Sequence, residues 1–114
     1  DTALSYERER YLSAQANFYK TLRKTYPQAH LVYVVGARKT TANVQQAARD
    51  LAQWVTSLGP DGHASFLQLM PTTVPSDERE GCAFHPGLKS HARMADAVVA
   101  HLREKLHWDE LRDN

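Results

Sequence analysis

Leu31-Val32-Tyr33-Val34-Val35, closed by Gly36, is the stretch on which the fold turns. It is continuously apolar rather than alternating. It therefore reads as a strand with both faces covered, as in a parallel sheet packed between helices. Upstream, residues 6–24 carry Tyr11, Ala14, Phe18 and Leu22 at three- and four-residue spacing, with Arg8, Glu9, Lys20, Arg23 and Lys24 on the polar faces. That pattern predicts an amphipathic helix, with Ser5 as a candidate cap and Pro27 ending it. Downstream, residues 37–42 read as a loop holding Arg38, Lys39, Thr40 and Thr41. Residues 43–57 read as a second helix with Val44, Ala47, Ala48, Leu51, Ala52 and Val55 as its buried stripe. Leu58-Gly59-Pro60-Asp61-Gly62 is a turn, and Phe66-Leu67-Gln68-Leu69-Met70 a second strand.

Residues 71–87 form a long connection containing Pro71, Pro75, Pro86, Gly81, Gly87 and the acidic patch Asp77, Glu78 and Glu80. Long irregular loops in compact domains are often functional. Residues 88–106 are expected to be the last helix, apolar along Leu88, Ala92, Ala95, Val98, Val99, Leu102 and Leu106. Trp108 is expected to fold back on the sheet, and residues 109–114 are a polar tail. The order helix, strand, helix, strand, loop, helix is that of an α/β fold.

The 114 residues suit one domain, and 42% hydrophobic with 24% charged residues is a globular composition. Fourteen basic residues against thirteen acidic ones leave a formal net charge of +1, which gives no electrostatic reason to expect nucleic acid. No apolar run has the length to cross a bilayer, so no membrane partner is expected. Cys82 is the single cysteine and has no partner for an internal disulfide. Asp1 opens the sequence without a charged-then-apolar leader pattern, so no signal peptide is expected in it.

Two strands make a poor parallel sheet. Further strands are expected from polypeptide outside this sequence: a companion chain, a cleaved segment or an identical copy. The other reading hides a strand near Thr72-Thr73-Val74.

His85 draws attention by placement, in the long loop just before the last helix, with Pro86 able to start that helix. Ligands of open α/β sheets sit beyond the carboxyl ends of the strands, and an imidazole there is a candidate general base. A histidine held for local structure is the plainer reading. The block Gly81-Cys82-Ala83-Phe84-His85-Pro86, then Leu88-Lys89-Ser90-His91 and Met94-Ala95, resembles the closing block of SGNH (GDSL-like) hydrolases. The likeness is nearest to the carbohydrate esterase branch with bacterial acetyl-xylan esterases. The stretch from Leu22 through Tyr26-Pro27 to Gly36 resembles the helix-to-strand segment of the same group, and Leu102 to Trp108 its last helix.

This resemblance implies a three-layer, flavodoxin-like SGNH fold. Residues 1–114 would be the C-terminal part of a single such domain, supplying its closing helices and strands. It implies a serine-type carboxylic ester hydrolase that removes acetyl groups from carbohydrate or cleaves another small ester. His85 would be its catalytic histidine. By placement, Phe84 beside His85 and Arg38 after the end of the first strand are expected to bind substrate. The position three before His85 is Cys82 and the position two before is Ala83, neither a carboxylate. A Ser-His dyad is therefore expected, with a backbone carbonyl able to hold the ring N–H; Asp77, Glu78 and Glu80 could reach back but read as solvated loop charges. No Gly-Asp-Ser block is present, and Ser5, Ser13, Ser57, Ser65, Ser76 and Ser90 lie in no such context. The nucleophile and oxyanion donors are therefore expected on a companion N-terminal chain, with activity only when that chain is added.

The remaining histidines read blandly. His30 and His63 flank turns, and His91, His101 and His107 lack the spacing of a zinc site. No metal and no cofactor are expected. The family's habits imply a periplasmic or extracellular setting. The rival to the enzyme reading is a non-catalytic α/β interaction module or an inactive fragment.

Overall fold

A computed structural model describes residues 6–36, 42–69 and 87–108. In chain order these form α1 (Arg8–Thr25), β1 (Leu31–Val35), α2 (Ala42–Ser57), a 3-10 turn (Pro60–Gly62), β2 (Ala64–Gln68) and α3 (Leu88–Leu106). β1 and β2 pair into a two-stranded sheet. The Leu31 amide donates to the His63 carbonyl at 2.8 Å, and the Leu69 amide donates to the Val35 carbonyl at 2.9 Å. Both strands thus advance together, the slanted ladder of a parallel pair. The described residues are an α/β fold of three helices and an open parallel sheet. The proposed hidden strand at Thr72-Thr73-Val74 lies outside them.

β1 occupies the residues its apolar run predicts. β2 begins at Ala64, two residues before the apolar run that announced it. The reason is the backbone entering it. His63 adopts a left-handed conformation (φ 48°, ψ 46°), which ends the 3-10 turn and delivers the next residue directly into the ladder.

The chain divides into two compact units. One contains residues 6–33 and 42–66, the other residues 34–36, 67–69 and 87–108. In the first, α2 buries Ala48, Leu51 and Val55, three of the positions its periodicity selects. Val44, expected in that stripe, is exposed. α1 is rotated from its expected face: Phe18 is 55% exposed, while Tyr19 turns inward. An aromatic cluster explains the rotation. The Tyr19 and Tyr33 rings meet Trp54 edge-on at 5.8 and 5.7 Å, joining α1, β1 and α2. Such contacts add about 0.5–1.5 kcal/mol each beyond their area.

A polar knot ties the start of α1 to α2. The Tyr6 hydroxyl donates to Asp50 Oδ2 at 2.6 Å, Gln46 Nε2 donates to Oδ1 at 3.0 Å, and Arg8 Nε lies 3.4 Å from Oδ1. Asp50 is buried, and these donors are what make a carboxylate tolerable there. The Tyr6 hydrogen bond, followed by Gln46 and Arg8, holds the Asp50 carboxyl below its ordinary range against the opposing effect of burial. Burial and then Asp50 push the Tyr6 hydroxyl up to about 12.

In the second unit, α3 starts after Gly87 and ends at His107, another left-handed residue (φ 54°). Ser90 is buried and accepts from Arg93 Nη2 at 3.1 Å. The apolar stripe expected on α3 is only partly covered. Val98, Leu102 and Leu106 are half-buried, but Leu88 is 87% exposed. Trp108 is also exposed, where packing was expected.

Two predictions follow from the first unit. A Cβ placed on buried Gly62 would stand 2.6 Å from Leu58 Cβ and 3.6 Å from Tyr19 Oη. Gly62→Ala therefore lowers the unfolding free energy by about 1–3 kcal/mol, read by urea denaturation. The second concerns alkaline pH. From pH 10.0 to about 12 the folded chain keeps a Tyr6 proton that the unfolded chain has lost, so stability falls as pH rises through that window. Burial raises Tyr11 and Tyr33 as well, so Tyr6→Phe flattens the decline without abolishing it. The Asp50 contribution has the opposite sense. It is present above pH 3.8 and lost as pH falls below it. Denaturation midpoints measured across pH check both limbs.

Candidate active site

The parallel pairing places two chemistry-bearing side chains together near the amino ends of the strands. His30 is the residue before β1, and Ser65 is the second residue of β2. His30 Nε2 and Ser65 Oγ lie 2.8 Å apart. With Nε2 unprotonated, the hydroxyl donates to the ring, the arrangement in which an imidazole takes a proton from a nucleophile. Ser65 is 7% exposed and His30 half-buried. A buried hydroxyl needs a partner, and His30 supplies one.

This couple corrects an expectation. The nucleophile was assigned to a companion N-terminal chain, with activity only on its addition. A serine hydroxyl already contacts a histidine nitrogen inside this chain, so a nucleophile–base couple does not require a second polypeptide. The expected two-chain esterase with a nucleophile-bearing partner is thus contradicted by the contact within this chain. The three residues the sequence nominated, His85, Phe84 and Arg38, lie outside the described residues, as do Cys82, Asp77, Glu78 and Glu80. Ser90, in the first turn of α3, is buried.

Ser65 and His30 were passed over because neither stands in a motif and 35 residues separate them. A signal exists only after the strands are paired. A polar residue just ahead of an apolar strand then meets another at the start of its neighbour. Elsewhere, His101 on α3 is half-buried, and its pKa is lowered by burial and next by the Lys105 ammonium. Among the described residues, no group of three or more histidine, cysteine, aspartate or glutamate side chains is placed to hold a metal ion. None of the described helices is long and apolar enough to cross a membrane.

No family model matches the sequence, and no curated protein does. Among solved structures the fold is similar to part of a carbohydrate esterase. Two structures of a family two carbohydrate esterase from Clostridium thermocellum, both ligand complexes and one of them an active-site mutant, each superpose with a TM-score of 0.79 at 23% identity. They cover 94% and 95% of this chain, which in turn spans 32% and 33% of theirs. The likeness establishes the fold, and this chain corresponds to about a third of the esterase's length.

Proposed function

We propose that this chain belongs to a serine-type carboxylic ester hydrolase of the three-layer SGNH kind, acting on acetylated carbohydrate. Residues 1–114 would be the C-terminal part of that domain. The observation that carries the reading is the 2.8 Å contact between Ser65 Oγ and His30 Nε2. The fold shared with a carbohydrate esterase supports the substrate class. In this reaction His30 takes the hydroxyl proton as Ser65 Oγ attacks the ester carbonyl. The tetrahedral intermediate collapses, the imidazolium protonates the departing sugar oxygen, and an acyl-serine remains. Water, deprotonated by the same imidazole, then releases acetate and restores the hydroxyl.

His85 is a second proposed proton carrier, supported by the resemblance of its block, with Phe84 and Arg38 proposed beside the ester. The same resemblance supports a periplasmic or extracellular setting. A non-catalytic module is the second reading. What favours it is the burial of Ser65, together with the position of the couple at the amino ends of the strands, away from the carboxyl ends where open α/β sheets bind ligands. There the couple would be a structural tie.

A fluorophosphonate probe and p-nitrophenyl acetate separate these readings. The esterase reading predicts a covalent adduct on the peptide bearing Ser65 and loss of labelling in Ser65→Ala. It also predicts a fall in kcat of about 10²–10⁴-fold in His30→Ala. A comparable fall in His85→Ala alone would move the proton-transfer role to His85. Absence of both labelling and hydrolysis would favour the structural tie.

A further inference from the structure

Arg23, in the last turn of α1, makes no ion pair with a carboxylate among the described residues; its guanidinium donates to backbone carbonyl oxygens. Nη1 donates to Ala29 O at 2.6 Å, Tyr26 O at 3.1 Å and Pro27 O at 3.4 Å. Nη2 donates to Gly62 O at 2.7 Å and His63 O at 3.2 Å. The guanidinium carbon lies 5.3 Å from the Tyr19 ring centroid, and the Tyr19 hydroxyl donates to the same Gly62 oxygen at 2.8 Å. One planar cation thus grips two separate stretches of backbone, one with each arm.

The gripped carbonyls adjoin the candidate site on both sides. Ala29 C=O belongs to the peptide that carries the His30 nitrogen. Gly62 C=O and His63 C=O belong to the peptides flanking His63, the left-handed residue that directs the chain into β2 and so to Ser65. The His63 carbonyl also accepts the Leu31 amide, the first rung of the ladder. A non-glycine residue in this conformation persists only where its surroundings hold it, and Nη2 holds the carbonyl on either side. Charge-assisted bonds are about twice as strong as neutral ones. Lysine offers one point charge where arginine offers a two-armed fork.

We infer that Arg23 is a positioning residue for the Ser65–His30 couple, fixing the approach of the imidazole to the hydroxyl through the backbone on both sides without touching either group. Its kinetic consequence rests on the esterase reading; its geometric consequence does not.

The test measures the 15N and 1H resonances of the His30 ring, with kcat and KM for p-nitrophenyl acetate, in the full chain and in Arg23→Gln and Arg23→Lys. Positioning predicts that Arg23→Gln moves the His30 ring resonances in the direction produced by Ser65→Ala. It predicts a kcat about 10²-fold lower with KM little changed. Arg23→Lys, with its charge kept and one arm lost, stays closer to the glutamine variant than to arginine. It also provides the readout should the glutamine variant fail to fold. A chain that hydrolyses no ester yet shows the ring shift supports positioning and fails only the esterase reading. A His30 ring indifferent to both substitutions overturns positioning, whether or not the chain is a hydrolase.

Discussion

The parallel ladder between β1 and β2 is the constraint from which the rest of the arrangement follows. Its first rung, Leu31 to His63, sets the register, and that register alone brings His30 beside Ser65. A slip of one residue along β2 would turn Ser65 to the opposite face. The sequence spends unusual residues to hold this rung. A non-glycine residue adopts a left-handed conformation, a glycine sits where a Cβ would collide with Leu58, and the Arg23 guanidinium donates to backbone carbonyls on both sides of the rung. These features converge on the entrance to β2, a few residues from the candidate site.

The elements read well from sequence are those with the strongest hydropathy patterns, although Val34 of β1 is exposed where cover on both faces was expected. Leu31–Val35 is apolar throughout and forms the strand it predicts, and Ala48, Leu51 and Val55 are buried where helical periodicity puts them. The misreadings have physical causes. β2 opens with Ala64 and Ser65, which carry little apolar signal. Backbone pairing selects them, and hydropathy placed the strand two residues late. On α1, edge-on packing of Tyr19 against Trp54 outranks burial of Phe18. The candidate site was the least legible part. One of its residues precedes β1 and the other lies in β2, and only the fold makes them neighbours.

The resemblance drawn from the sequence and the structural comparison agree only on an α/β fold like that of a carbohydrate esterase, and the resemblance differs from the structure on where a nucleophile resides. The closing block around His85 led to an absent nucleophile. The described residues instead contain a serine and a histidine in contact. The fold likeness to a carbohydrate esterase spans nearly all of this chain and about a third of the esterase.

A double-mutant cycle between His30→Ala and Ser65→Ala, read as unfolding free energies of the full chain, tests the central claim most directly. Hydrogen-bonded partners brought together by the ladder predict a coupling of about 0.5–3 kcal/mol. Strictly additive effects of the two substitutions would contradict it.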